Sequence, residues 1–252
     1  MEATKQAYLC EIVSMDEIAE KTFDLRFRCT QMAAEAKVGQ FVHIKCGNDI
    51  NTLLRRPISI CDVEGDVMRV IFEVRGEGTA LLAQKKVGEQ LDVMGPLGRG
   101  FNPIEGKCAV IGGGIGTFPL LMLAKSLNAP DVYLGFRNKD RVLLEEDFTS
   151  AGGNVTVTTD DGSYGYHGFA IDKLKENLDG VEKIYACGPT PMLKAVQTLS
   201  AETGIPAELS MEQRMGCGIG ACLTCACKVN GHYAHVCKAG PVFKASEVNL
   251  DE

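Results

Sequence analysis

The chain has no long run of lysines or arginines, no apolar stretch long enough to span a bilayer, and no internal repeat or low-complexity segment. A membrane-crossing helix needs about 20 consecutive apolar residues, so a helical span is excluded. The formal net charge is -7. With no basic cluster to offset it, nucleic acid and anionic membrane surfaces are poor partners. The opening residues MEATKQAYLCEI lack the basic-then-apolar order of a secretory leader, which leads to the expectation of a cytoplasmic protein. No nucleophile, base and acid stand out as a catalytic triad, and none is assigned. What is present is ordinary for a folded chain: 45% hydrophobic and 23% charged residues over 252 positions, enough for two modest domains.

Cysteine is the departure from the ordinary, with eleven in the chain. Six of them (Cys10, Cys29, Cys46, Cys61, Cys108 and Cys187) are scattered through predicted strands and read as small buried hydrophobes. In a reducing compartment, clustered cysteines point to metal rather than to disulfides. Cys217, Cys222 and Cys225 lie in the run GCGIGACLTC with the spacing C-x4-C-x2-C, which is that of plant-type [2Fe–2S] clusters. Gly216, Gly218 and Gly220 interleave with them, as a backbone wrapped tightly around sulfide requires.

A fourth thiolate is needed, and both Cys237 and Cys227 are available. In an extended Cys-Ala-Cys segment, Cys225 and Cys227 point the same way, so sterics leave Cys227 open as the rival. Four thiolates also suit tetrahedral zinc, although structural zinc sites usually pair two C-x₂₋₄-C knuckles. His232 and His235 have the chemistry of Rieske ligands but read as surface residues, and His43 and His167 read as structural.

Up to about residue 100 the chain reads as short strands: Tyr8–Val13, Thr22–Arg28, Phe41–Lys45, Pro57–Cys61, Val67–Val74 and Gln90–Met94. Glycine-rich breaks separate them, and strands at this density predict a small antiparallel barrel. After Gly106 strands and helices alternate. Cys108–Ile111, Val132–Phe136, Val155–Thr159, Lys183–Cys187 and Ala207–Met211 read as strands, and Phe118–Leu127, Phe169–Asn177 and Pro191–Thr203 as helices. That alternation predicts a parallel sheet with right-handed crossovers. The expected organisation is a barrel domain over 1–101, an α/β domain over 102–211 and a small cysteine lobe over 212–252.

Four short motifs carry further chemistry. In RRPISI (Arg55–Ile60) a guanidinium is suited to a diphosphate, and consecutive strand residues face opposite ways, so one arginine at most serves a given site. RGEGTALL (Arg75–Leu82) places Gly78 and Thr79 at a helix start, where amides favour phosphate. GGGIGTFP (Gly112–Pro119) follows a strand but has Thr117 at the third glycine position of a dinucleotide loop, and no acidic residue ends the next strand. Arg137, Lys139 and Arg141 after that strand have the charge to attract a 2′-phosphate, so NAD over NADP is not secured, while Asp160 and Asp161 are read either as bordering the nucleotide site or as part of a solvated loop. CGPTPML (Cys187–Leu193) falls at the carboxyl end of another parallel strand, where ligands of open α/β sheets bind.

The order of these motifs resembles the ferredoxin reductase superfamily, which pairs an FAD-binding barrel with a pyridine-nucleotide domain. The tail SMEQRMGCGIGACLTCACKV…VCKAGPVF narrows the likeness to the electron-transfer subunits of dihydroorotate dehydrogenase B. The resemblance implies that Arg55, Arg56, Pro57, Ile58 and Ser59 form an FAD stretch, with Arg56 on the diphosphate and Ser59 near the flavin. It further implies that Phe72, Glu73 and Val74 run beside the flavin and that Gly78 and Thr79 close over the phosphates. Ile58 stands where the superfamily usually has an aromatic residue. Gly113, Gly114 and Gly116 would meet the NAD backbone, with Cys187 and Gly188 near the nicotinamide. Cys217, Cys222, Cys225 and Cys237 would hold the [2Fe–2S] cluster. The implied partner is an FMN-containing catalytic subunit, two copies of each chain, with electrons passing to NAD in pyrimidine biosynthesis. A reductase subunit of another complex, such as a ferredoxin-coupled transhydrogenase, is the alternative.

Overall fold

The computed structural model describes residues 6–47 and 50–250; the expected domain ends at 1 and 252, and the first five residues of the leader-like test above, lie outside them. The chain divides into two compact units. The first comprises residues 1–100, 212–226 and 235–241, and the second 101–211, 227–234 and 242–252. Within the expected lobe, residues 212–226 and 235–241 group with the first unit, and 227–234 and 242–250 with the second.

The first unit is a closed six-stranded antiparallel barrel. Its strands are β1 (Ala7–Ala19), β2 (Thr22–Arg28), β3 (Phe41–Ile44), β4 (Arg56–Glu64), β5 (Val67–Glu73) and β6 (Gln90–Leu97). They close in the order β1-β2-β5-β4-β3-β6. Short helices α1 (Thr30–Glu35) and α2 (Glu77–Ala83) fill two of the connections. The sequence pattern predicts β1 only as far as Val13. The strand runs on to Ala19 because register shifts at Ile12/Ser14 and Glu17/Ala19 break the alternation that would mark it. Pro57 is the second residue of β4, whose pairing with β5 begins only at Ile60, so no ladder donor is lost there.

The second unit is built on a seven-stranded sheet. Its strands are β7 (Cys108–Gly113), β8 (Asp131–Phe136), β9 (Asn154–Thr159), β10 (Tyr166–His167), β11 (Lys183–Cys187), β12 (Ala207–Ser210) and, from the end of the chain, β15 (Val242–Lys244). The order is β10-β9-β8-β7-β11-β12-β15. All neighbours are parallel except β15, which runs antiparallel to β12. Helices α3 (Leu121–Ser126), α4 (Glu145–Ser150), α5 (Ala170–Glu176) and α6 (Thr190–Thr203) accompany it. The helix expected over Phe118–Leu127 begins later, because Gly114–Leu120 is a 3₁₀ segment that contains Pro119. Proline offers no amide to an α-helical ladder. β13 (Ala226–Val229) and β14 (His232–His235) form a hairpin, followed by the short helix α7 (Val236–Ala239). Among the described residues, no helix is long and apolar enough to cross a membrane.

Candidate redox-cofactor sites

On the barrel, the paired arginines separate as strand geometry requires. Arg55 donates from Nη2 to both carboxylate oxygens of Asp92 at 2.8 Å, and from Nη1 to the Asp92 carbonyl at 2.8 Å. Its guanidinium is therefore committed to the β3–β6 side of the barrel. Arg56 lies against the start of α2: a Cβ built on Gly78 would stand 2.8–2.9 Å from Arg56 Nε, Cζ and Nη2. Only glycine allows this approach, which sets a guanidinium beside bare backbone. Thr79 shapes the same turn, since its Oγ1 accepts from the amides of Arg75 (2.9 Å) and Gly76 (3.2 Å) and donates to the Gly76 carbonyl. A planar, always-charged donor next to a side-chain-free turn fits an anionic diphosphate. Ile58 and Phe72 are buried, whereas Ser59, Glu73 and Val74 are half-buried along β4 and the end of β5. Phe72 stacks on Phe23 with ring centroids 5.7 Å apart.

The four clustered cysteines also fall within the first unit. They sort into two pairs. Cys225 and Cys237 are buried with their sulfurs 3.3 Å apart. Cys217 and Cys222 are half-buried. Backbone amides aim at the sulfurs: Ile219, Ala221 and Cys222 donate to Cys217 Sγ at 3.5, 3.2 and 3.3 Å, and Gly220 donates to Cys237 Sγ at 3.1 Å. Gly218 and Gly220 make this turn possible with φ of +70° and +80°, a region that L side chains rarely adopt.

The thiols differ accordingly. Hydrogen bonds, chiefly from Thr224, bring Cys222 down to about 6. Burial pushes Cys217 up, but the three amides outweigh it and the net direction is down. Burial and the neighbouring Cys225 push Cys237 up to about 12. Among the described residues, no three His, Cys, Asp or Glu side chains close on one ion position. A two-iron cluster needs two thiolates at each iron, and two pairs wrapped in inward amides fit that donor set. Cys227 is buried on β13, in the second unit.

One residue that the sequence presents as merely structural belongs to this region. His43 on β3 is fully buried, and neither ring nitrogen completes a hydrogen bond among the described residues. Burial, aided by the Arg55 guanidinium, lowers it to about 4, so the ring is neutral. A Cβ on Gly218 would stand 2.5 Å from its Nδ1. No sequence signal pointed here, because the contact joins residues 175 positions apart in the chain.

In the second unit, the two nucleotide motifs meet at the carboxyl ends of adjacent parallel strands, with Cys187 in register with Gly112. Gly116 must be glycine, because a Cβ there would sit 2.5–2.6 Å from the Cys187 carbonyl and the Gly188 Cα. Gly113 packs on Pro189 and Met192, and Gly188 on Met192 and Gly113. Met192, within CGPTPML but not singled out from the sequence, thus joins the two loops together with Pro189. Gly114 has a φ of +54° and open space above it. Thr117 closes the turn by donating from Oγ1 to the Gly114 carbonyl at 2.8 Å, which explains the missing third glycine. The result is a backbone-lined strand edge of the kind that admits a dinucleotide. The loop after β8 is tied to the loop after β9, since the Lys139 amide donates to Ser163 Oγ at 2.7 Å. Asp161 anchors that serine and is lowered by its hydrogen bonds.

Comparison with known proteins agrees with both halves of this description. Residues 212–249 match the iron–sulfur cluster binding domain of dihydroorotate dehydrogenase B. The "Dihydroorotate dehydrogenase B (NAD(+)), electron transfer subunit" of Geobacillus thermodenitrificans is 44% identical over 253 residues, covering 95% of this chain and 97% of that protein. The subunit of the same description from Bacillus pumilus is 43% identical over 259 residues, covering 98% and 99%. Among solved structures, an NADH-dependent reduced ferredoxin–NADP oxidoreductase, studied for flavin-based electron bifurcation, superposes with a TM-score of 0.85 at 32% identity, covering 100% of this chain and 92% of the other. With identity above 40% over nearly the whole length of both chains, and with the barrel, the parallel sheet and the cysteine lobe in place, this chain belongs to the family of dihydroorotate dehydrogenase B electron-transfer subunits.

Proposed function

We propose that the chain is the electron-transfer half of an NAD-dependent dihydroorotate dehydrogenase of pyrimidine biosynthesis, acting in the cytoplasm with an FMN-containing catalytic subunit, two copies of each. The observation that carries this reading is the grouping of four thiols, in two amide-wrapped pairs, within the same compact unit as the Arg56–Gly78 cradle. When bound, FAD and a [2Fe–2S] cluster supply the redox chemistry that links one-electron steps to the two-electron reduction of NAD⁺.

The residues of the chain bind and orient. Arg56 neutralises the FAD diphosphate above the bare turn at Gly78, while the Thr79 hydroxyl holds that turn in shape. Pro57, Ile58 and Ser59 on β4 and Phe72, Glu73 and Val74 at the end of β5 border the flavin. Arg55 supports them from behind through Asp92. Cys217 with Cys222, and Cys225 with Cys237, would each hold one iron of the cluster. The amides of Ile219, Ala221, Cys222 and Gly220 offset the negative charge on the sulfurs. Gly113, Gly114 and Gly116 leave room for the dinucleotide, and Cys187 and Gly188 border its nicotinamide. No side chain of this chain is required as acid, base or nucleophile, so its contribution is placement and electrostatics.

The likeness to a ferredoxin–NADP oxidoreductase favours one other reading, a subunit that serves a ferredoxin-linked complex. A single experiment separates the two. The chain is purified with and without a dihydroorotate-oxidising FMN subunit, and NADH formation from dihydroorotate is followed. NADH formed by the pair, and by neither chain alone, is the expected result. A tight pair that forms no NADH, or turnover with reduced ferredoxin in its place, defeats the assignment.

A further inference from the structure

His43 occupies a position whose neighbours on β3, Phe41, Val42 and Ile44, are all buried and apolar. An aliphatic side chain would satisfy the packing there without leaving polar atoms to be paired. Buried ring nitrogens are almost always given a partner in folded proteins. Two carbonyls lie beside the ring, those of Arg55 and Cys217. The second belongs to the residue that opens the cysteine cluster, and Gly218 presents bare backbone to Nδ1. Gly98 and Arg99, just after β6, meet the other end of the cysteine segment. The Arg99 amide donates to the Gly240 carbonyl at 2.5 Å, and a Cβ on Gly98 would lie 2.7 Å from that carbonyl and from Pro241 Cδ.

We propose that His43 is a positioning residue for the iron–sulfur centre, its imidazole donating N–H to the Cys217 carbonyl and so pinning the first ligand to the flavin barrel. The proposal rests on the reading of Cys217, Cys222, Cys225 and Cys237 as cluster ligands. Its consequence lies in the turn that follows. Three amides, those of Ile219, Ala221 and Cys222, converge on Cys217 Sγ, and they do so only while the Cys217–Gly218 backbone is held in place. N–H···S bonds favour the more negative, reduced cluster, so loosening the turn lowers the potential. The anchor also lies next to the strand that carries the arginine pair. His43 is paired in register with Pro57, Ile44 with Arg56, and the His43 carbonyl accepts from Arg55 Nη1 at 3.4 Å.

The test uses the full chain purified with its flavin and cluster. His43→Met removes both nitrogens yet fills the space with an adaptable apolar chain. His43→Gln keeps an N–H donor. The measurements are iron, sulfide and flavin content, the cluster's EPR spectrum, and its midpoint potential in a dye-mediated titration. In H43M the reduced fraction at a fixed potential should fall about tenfold, equal to about 59 mV for a one-electron couple. The EPR g-values should shift while flavin content and reduction of the flavin by NADH stay as in the wild type. H43Q should restore both the potential and the spectrum. An H43M chain with full iron and sulfide and a wild-type potential and spectrum overturns the proposal. If H43M loses its flavin, Gly218→Ala takes its place, since its Cβ would meet Nδ1 from the other side; the same fall is expected, and a wild-type potential is again fatal. Retention of iron by a chain with unaltered His43 and serine at any one of the four cysteines defeats the ligand reading instead, and is distinguished by that result.

Discussion

The two compact units assemble their sites in opposite ways. In the second unit, GGGIG and CGPTPM each follow a strand directly, and adjacent parallel strands bring them together at one sheet edge. In the first unit, the Arg56–Gly78 cradle joins residues 22 positions apart, and the cysteine turn meets β3 across 175 positions. A parallel sheet delivers its loops to the ligand edge by topology alone. A barrel has no such edge, so its sites depend on particular side chains meeting across the structure. Substitutions in the second unit should therefore act through backbone clearance, and those in the first through lost ligands and charges.

The largest effect expected is that of Cys237→Ser. The protein should lose its iron and its visible cluster absorption while flavin remains bound. Cys227→Ser should keep both, and the reverse result would move the fourth ligand to β13. Next comes the contrast between the arginines. Arg56→Ala should weaken FAD binding by about tenfold to a hundredfold, as loss of a charge-assisted hydrogen bond of roughly 1.5–3 kcal/mol implies. Equilibrium dialysis of the flavin measures it. Arg55→Ala should instead lower thermal stability, because it strips Asp92 of its partner. If Arg55→Ala is the one that loses flavin with the melting temperature unchanged, the division between the two residues is wrong.

After removal of iron, the thiols should label unequally. Cys222, lowered to about 6, is thiolate through most of the range above pH 6, whereas Cys237, near 12, stays protonated until far higher pH. Iodoacetamide followed by peptide mass mapping should find Cys222 modified faster than Cys237 by about tenfold or more at pH 8, with the Cys222 rate falling off below pH 6. Equal rates would show that the paired environments do not survive without metal. The smallest effects belong to the nucleotide edge. Gly116→Ala drives a Cβ into the backbone of Cys187 and Gly188 and should cost about 1–3 kcal/mol. Gly114→Ala has open space and pays only for its left-handed φ, about 1–2 kcal/mol. Thermal denaturation ranks the two. Their KM values for NAD⁺ should separate further, because only the first moves the two loops apart.

Much of this was legible before the fold was known, and the exceptions have identifiable causes. Thr22–Arg28 and Lys183–Cys187 fall as strands at the bounds the pattern predicts, since one alternates cleanly and the other is a short apolar run between turn signals. The second half of β1 was hidden by two bulges, and the start of α3 was displaced by Pro119. Helix α1, helix α4 and the hairpin of β13 and β14 gave too few apolar residues at helical or strand period to register. For the cofactor sites, the cysteine spacing and the glycine turns were visible because they are local. The engagement of Arg55 with Asp92, and the burial of His43 beneath Gly218, were not visible because each joins distant segments.

By itself, then, the sequence determined the class of chemistry: a thiolate spacing that only a few metal centres use, glycine turns at strand ends that suit phosphate-bearing ligands, and the order of barrel, sheet and lobe. These are matters of local covalent geometry and ligand number, which the chain carries whether or not it is folded. Tertiary structure decided which of two adjacent arginines is tied to the Asp92 carboxylate, which buried cysteine lies beside Cys225, and what stands behind the cluster turn. Those outcomes depend on which surfaces close against each other when the barrel buries its strands, and packing of that kind is settled only in three dimensions.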